Sequence, residues 1–368
     1  MHIRKTGNSL IVEVSKVING VRHKDSAVVN NKTEAKEFEA EFLARVLGGT
    51  LSPKVAFNVF GQEYIDNING LEPRTILGYQ QAFDRIKPIL KTPLNQLTNT
   101  HFVKAFNTLK DKGLAPRTIL HTYRITKQIC DQANLDFKIT IPLGSFKKTV
   151  KLKLNDMDEA KALTIEEQKT FLEYLREHKE DSYVSYQTYI FSLIALYTGM
   201  RTGEISALSW SDINANGIIT VSKSIGRAGK NEYLKEPKTK AGKRKITIGK
   251  DVLIELSAFR KYLTSITNDI YLHQTSWVFI DLKDSSQHTT IQAWSNRVRT
   301  AMAKLGIKHN AHALRHTHAS NLLMNNCPIV QVANRLGHSD PSITLRVYSH
   351  FLEELSVDFE EYMPKIIA

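Results

Sequence analysis

The sequence predicts a multidomain α+β chain. It should open with a small three-stranded sheet plus one helix, continue into an all-α domain, and end in a mainly helical domain with a small antiparallel sheet. Three observations carry that expectation. Strand-period alternation (Leu10, Val12, Val14) runs up to an Asn19-Gly20 turn signal near the start. Helix-period apolar residues then dominate from Val55 to about Pro142. A capping box at Thr164 to Glu167 opens the longest remaining stretch, in which three strand-like runs interrupt helical patterns.

At 368 residues the chain is longer than one average domain, so two or three domains are expected. Lys and Arg total 50 against 37 Asp and Glu, a net charge of +13, which favours a polyanionic partner because phosphate contacts release counterions. Cys130 and Cys327 stand far apart without a Cys-x-x-Cys, which argues against a disulfide framework or a cysteine zinc site and fits a reducing compartment. The first residues, MHIRKTGNSLIVEV, hold no apolar run of signal-peptide length, and the longest apolar run, Ile190 to Tyr197, is too short to span a bilayer. The expectation is a soluble, intracellular protein.

In order, the Asn-Gly dipeptide separates the first alternating run from VRHKDSAVV, since both central residues of a type I′ turn need positive φ. Thr33 is the expected N-cap of the following helix, with Glu34 and Glu37 in its first turn and Ala35, Phe38, Phe42 and Val46 on its apolar face. This module fits either a structural role or a DNA-reading one. Gly48-Gly49-Thr50 and Ser52-Pro53 then read as a linker.

Four or five helices are expected from Val55. Two begin alike, Leu71-Glu-Pro-Arg-Thr-Ile-Leu77 and Leu114-Ala-Pro-Arg-Thr-Ile-Leu120; proline suits a first turn, and the adjacent arginine can meet a phosphate at the positive end of the helix. Recurrent helix-start chemistry and an internal duplication explain the likeness equally. Phe102, Val103, Phe106 and Leu109 form a packing stripe between them. A basic stretch, Phe146 to Lys153, reads as irregular and gives way to Asp156, Asp158 and Glu159, marking a boundary.

In the last domain Tyr189 to Tyr197 reads as a buried helix stopped by Gly199, which places Arg201 on a turn, with Glu204 fixing that turn. Gly217 to Val221, Glu232 to Glu236 and Arg244 to Ile248 read as three strands, and a lysine-dense turn holding Lys238 precedes the third. By itself that turn is a solvated charge run. Trp294, Val298 and Met302 follow as a helix core. The densest stretch runs from His312 to Tyr348. It contains His312-x-x-Arg315, Leu336-Gly337-His338 and a tyrosine ten residues beyond. An arginine, two histidines and a tyrosine are the equipment for attacking a phosphodiester without metal. Asp340-Pro341 starts the helix before Tyr348, with Ile343 and Val347 packing it. His316 and His318 read as hydrogen-bonded support; with no carboxylate or cysteine cluster nearby, no metal is expected at the three histidines.

Arg201 in Arg-Thr-Gly-Glu, Lys238 in Pro-Lys-Thr, His312-x-x-Arg315-His316, Leu-Gly-His338 and Tyr348, in that order, resemble the tyrosine recombinases, the phage-type integrases. The resemblance implies three domains: an arm-type-site DNA-binding module at 1–50, a helical core-site-binding domain at 54–143, and a catalytic domain with a C-terminal tail at 158–368. It implies a site of Arg201, Lys238, His312, Arg315, His338 and the nucleophile Tyr348, none of them substituted here, and no cofactor. The expected product is a covalent 3′-phosphotyrosine with a free 5′ hydroxyl, leading to integration and excision of a mobile element. It further implies double-stranded attachment sites of arm and core type, and a homotetramer on a Holliday junction. For the acidic tail, with Phe351, Leu355, Phe359 and Tyr362 on one stripe, the resemblance implies docking on a neighbouring subunit, docking on its own domain being the other reading. A directionality factor, a host DNA-bending protein and a bacterial, nucleoid-associated cytoplasmic setting complete what it implies. A non-catalytic DNA-binding regulator and a type IB-like topoisomerase are the competing readings.

Overall fold

The computed structural model describes residues 2–6, 9–18, 21–31, 34, 35, 38, 53–150, 162–237, 239–267 and 277–345. It divides the chain into two compact units, Met1–Asp156 and Met157–Ala368.

The first unit opens with strands β1 (His2–Thr6), β2 (Ser9–Ile18) and β3 (Val21–Val29), antiparallel in the order β1-β2-β3. Ile18 stands opposite Val21; the Asn19-Gly20 turn itself lies outside the described residues. Alternation turns Val12 and Val14 to one face, where they are buried with Val29 and Ala35. Phe38 packs against that face. Beyond β3, Asn31 caps the helical residues at 34 and 35. The Asn31 side chain accepts from the Glu34 N–H at 2.9 Å and its carbonyl from the Ala35 N–H at 3.1 Å, a geometry that Asn favours as strongly as any residue. Thr33, Glu37, Phe42 and Val46 lie outside the described residues.

The remainder of this unit is helical: α1 (Phe57–Asp66), α2 (Pro73–Ile86), α3 (Asn99–Asp111), α4 (Pro116–Phe137) and a short α5 (Phe146–Val150). Pro73 and Pro116 stand in the first turns of α2 and α4, after the extended Glu72 and Ala115. Phe57, Phe83, Phe102 and Phe106 are fully buried, whereas Val103 is only half-buried; Ala105 completes the α3 stripe in its place. The stretch from Phe146 is not irregular as expected. Phe146 packs edge-on against Tyr123 at 5.3 Å, the Tyr123 hydroxyl donates to the Gly144 carbonyl, and Val150 is buried, so packing holds a helical turn that lysine-rich composition does not advertise. Lys151 to Lys153 lie outside the described residues.

The second unit begins with α6 (Ile165–Glu177), closed by the expected box: Thr164 Oγ accepts from the Glu167 N–H at 3.1 Å and the Glu167 carboxylate accepts from the Thr164 N–H at 2.9 Å. Then comes α7 (Tyr183–Thr198), buried along almost its whole length. Every later helix around the site is ordered by it: α8 (Thr202–Ser206), α9 (Lys250–Thr267), α10 (Ile291–Lys304) and α11 (Ala311–Met324) all touch it. Phe191 of α7 stacks on Trp294 of α10 with centroids 4.3 Å apart, and Val298 and Met302 are buried beside it. The last elements are α12 (Ile329–Leu336) and a helical segment at 341–345.

Where three strands are expected, four form two ladders. β4 (Ile218–Val221) pairs with β7 (Arg244–Thr247), and β5 (Ser224–Ala228) with β6 (Asn231–Lys235). β5 escapes a hydrophobicity reading because SIGRA lacks alternation. Its Gly226 is needed because a Cβ there would come within 2.7 Å of the Tyr233 ring. A further small pair, β8 (Ile280–Asp281) with β9 (Asp284–His288), is too polar to be anticipated. Cys130 and Cys327 are both free. Among the described residues no helix is long and apolar enough to cross a membrane.

Candidate functional site

Two glycine helix stops build the site. α7 ends at Gly199 with φ of 65°, where a Cβ would lie 2.6 Å from His318 Cδ2 and 2.7 Å from Leu336 Cδ2. α12 ends at Gly337 with φ of 72°, where a Cβ would meet an Arg244 Nη at 2.9 Å. Both positions combine left-handed backbone with no room for a side chain. The stops leave backbone carbonyls pointing out of the helix ends, and guanidinium groups take them up. Arg315 of α11 donates to the Gly199 carbonyl at 2.6 Å and to the Leu336 carbonyl at 2.9 Å. Arg201, just before α8, reaches the Gly337 carbonyl at 3.4 Å.

The same Arg315 lies 2.9 Å from His338 Nε2. A guanidinium can only donate, so Nε2 accepts, which leaves the ring proton on Nδ1, 2.7 Å from Thr344 Oγ1. Glu204, 3 % exposed, anchors the other side. Its carboxylate accepts from the Arg201 backbone N–H at 3.0 Å and pairs with Arg201 at 2.8 Å and Arg244 at 2.9 Å. Burial pushes the Glu204 carboxyl up, but hydrogen bonds and charge from Arg244, aided by Arg201, hold it below its ordinary value. Glu204 thus fixes the Arg201 turn, as its position in Arg-Thr-Gly-Glu suggests. The Arg201 side chain remains 43 % exposed while Arg315 is 5 % exposed, so one cation faces outward above a second that is sunk in the fold.

Four histidines crowd these cations. His312 sits in the first turn of α11, its N–H held at 2.9 Å by Asn310, and its ring meets His316 edge to face at 4.7 Å. Desolvation by its neighbours, then Arg315 and Arg201, push the His312 ring down from its ordinary value, an effect limited by its exposed face. His316 and His338 are pushed down to about 4, by burial first; for His338 the Arg315, Arg201 and Arg244 charges add to it. His318 is also pushed to about 4 by burial. Its Nδ1 lies 2.8 Å from the Leu196 carbonyl, and Nε2 accepts from Arg335 at 3.1 Å, so both ring nitrogens are committed to structure.

The structure therefore brings Arg201, His312, Arg315 and His338 into one cluster. Lys238 and Tyr348 lie outside the described residues, as do Val347 and the tail. Ile343 does not pack its helix: it is 42 % exposed, and Thr344 is the buried residue, because the turn is aimed by the His338 contact rather than by an apolar one. Sequence reasoning passed over Arg244, Arg335 and Thr344. Arg335 carried a signal, a cation in the last turn of a helix; Arg244, beside a lysine run, and Thr344 carried none. Paired guanidinium groups at helix ends, backed by neutral rings, suit an oxyanion with several oxygens such as a phosphodiester.

The chain is similar to several known proteins. Residues 161–354 match the family model described as "Phage integrase family". The integrase of Staphylococcus phage L54a is 28% identical over 183 residues, covering 46% of this chain and 49% of its own length. The ICEBs1 integrase of Bacillus subtilis (strain 168) is 24% identical over 272 residues, covering 71% and 69%. The chain spans about half the length of the phage relative. Among solved structures, the Tn1549 transposon integrase in complex with transposon right end DNA superposes with a TM-score of 0.67 at 20% identity, over 84% of this chain and 97% of that one, which shows a shared fold.

Proposed function

This chain belongs to the phage integrase family, and from that premise we propose that it is a site-specific recombinase that cleaves and rejoins double-stranded DNA through a 3′-phosphotyrosine at Tyr348. The observation that carries the reading is the meeting of Arg201, Arg315 and His338, drawn from three separate segments, at the ends of α7 and α12.

In the proposed reaction the Tyr348 oxygen attacks the scissile phosphorus in line with the 5′ oxygen of the next nucleotide. The P–O5′ bond breaks as the P–O(Tyr) bond forms. A free phenol has a pKa near ~10, so a cationic surround is needed to favour the developing phenolate. Arg201 and Arg315 supply it and hold the non-bridging oxygens, Glu204 keeping Arg201 aimed. His312, neutral and at the open end of α11, takes the tyrosine proton and returns it in the reverse step. Lys238 gives its proton to the departing 5′ oxygen, and His338 donates to the phosphate. The ester conserves the bond energy, so the freed 5′ hydroxyl of a second duplex can attack it without ATP or metal.

The same reading assigns residues 1–50 to arm-type sites, 54–143 to core-type sites and 158–368 to catalysis. It includes a tetramer acting through a Holliday junction, a tail exchanged between subunits, integration and excision of a mobile element, and a directionality factor and host DNA-bending protein as partners. Structures of the lambda integrase, as a dimer bound to a COC′ core site and as a tetramer bound to a Holliday junction, support that assembly by analogy of fold.

The test is a nicked duplex carrying the element's attachment site, scored for a covalent adduct on a denaturing gel. Wild-type protein should give an adduct and Tyr348→Phe none. An adduct that survives the substitution removes Tyr348 as nucleophile; binding without any adduct on any attachment site makes the chain a regulator. Relaxation of supercoiled DNA without exchange between sites would make it a topoisomerase.

A further inference from the structure

We propose that Thr344 is a positioning residue whose hydroxyl lets His338 exchange tautomers, from an acceptor toward Arg315 in the free protein to a donor toward the phosphate on DNA. The inference rests on the recombinase reading above and concerns how that site is loaded.

In the free protein His338 Nε2 faces Arg315 at 2.9 Å and must accept, while Nδ1 holds the proton toward Thr344 Oγ1 at 2.7 Å. That ring is the wrong tautomer for its proposed task, because a phosphate oxygen needs a proton on Nε2. Gaining a second proton is one way out, but the groups facing the ring oppose it. Arg315 of α11, Arg201 before α8 and Arg244 of β7 are cations, His316 of α11 stands nearby, and among the described residues only the buried carboxylate of Glu204 pulls the other way. Exchange at constant charge is the remaining route. One proton leaves Nδ1 for water, another arrives at Nε2 from water, and the Thr344 O–H rotates so that the oxygen that accepted from Nδ1 now donates to it.

A hydroxyl is the side-chain group that can do both at a fixed position. Thr344 is fully buried, its Oγ1 held on the ring, and it lies in the helical turn at 341–345, four residues before Tyr348. The helix therefore presents to His338 a two-way partner rather than an apolar side chain, although its neighbours Ile343 and Leu345 are both exposed.

Thr344→Val keeps shape and removes the hydroxyl; Thr344→Ser keeps the hydroxyl and removes a methyl. With a nicked attachment-site duplex, Thr344→Val should slow adduct formation about tenfold at unchanged DNA affinity, while Thr344→Ser should retain the rate to within about twofold. In a His338→Ala background the valine should add no further loss. A packing role predicts the reverse ranking, and either that ranking or an undiminished valine variant overturns the proposal. Absence of adduct from wild-type protein would sink the recombinase reading instead. Nitrogen-15 shifts of His338 then decide the present point without turnover, in Tyr348→Phe protein free and bound to the duplex. The expected result is a proton on Nδ1 when free and on Nε2 when bound; a ring that keeps Nδ1 protonated in both states overturns it.

Discussion

Two arginine–histidine pairs join the region of α11 to that of α12, and they are built as mirror arrangements. In one, Arg315 of α11 meets His338 just beyond α12 at 2.9 Å; in the other, Arg335 of α12 meets His318 of α11 at 3.1 Å. Each guanidinium also takes up backbone carbonyls, Gly199 and Leu336 for Arg315, Tyr197 and Thr247 for Arg335. Each histidine is pushed down to about 4 and so is neutral near pH 7. The difference lies at the second ring nitrogen. His318 Nδ1 faces the Leu196 carbonyl, which can only accept and so locks the ring; His338 Nδ1 faces a hydroxyl, which can reverse. One pair pins α11 to the end of α7, and in the proposed reading the other uses the same chemistry for a site that changes its hydrogen bonds when substrate arrives. Residue type and spacing do not separate such pairs; the far partner of the ring does.

Breaking the reactive pair should have the largest effect. Arg315→Ala removes a cation from the proposed phosphate site and strips donors from two buried carbonyls and from His338. Adduct formation on the nicked duplex should fall on the order of a thousandfold. Arg335→Ala should produce the opposite profile. It leaves the Tyr197 and Thr247 carbonyls and His318 Nε2 without their donor, so urea unfolding should show a loss of about 2 kcal/mol, while adduct formation per folded molecule stays within about threefold. An Arg335 variant that folds normally but loses adduct would move that arginine into the reactive group and dissolve the distinction.

The fold classes and the glycine stop at Gly199 were legible because they are short-range consequences of pattern, whereas Gly337 stood out only as the middle of a Leu-Gly-His step. The buried run of α7 and the αL requirement at Gly199 need only neighbouring residues to be read. Arg201, His312, Arg315 and His338 were identifiable only as an ordered set, since each alone has a bland explanation. Arg244 was illegible for a long-range reason: its role comes from Glu204, forty positions away, and in sequence it is one more cation beside Lys243 and Lys245. Ile343 misled because an apolar residue in a short amphipathic turn is expected inward, and a polar contact, Thr344 to His338, set the rotation of the turn instead.

The smallest predicted effect tests the locked pair through acid. In the unfolded chain His318 takes up its proton near its ordinary 6.5; in the folded chain it resists to about 4 because burial disfavours the charged ring and the Nε2 lone pair is engaged by Arg335. A folded-state pKa below the unfolded one means that the unfolded state binds more protons between those values, so stability is fully present above about pH 6.5 and declines as the pH falls toward 4. At pH 5 the contribution from His318 amounts to about 1 to 2 kcal/mol relative to pH 7.5. His318→Gln should therefore be less stable than wild type at pH 7.5, having lost the fitted ring, yet lose less than wild type between pH 7.5 and pH 5 when both are followed by urea denaturation. Parallel acid limbs for the two proteins would mean that the ring is not held neutral by its surroundings, and that the contrast between a locked and a reversible histidine does not arise at His318.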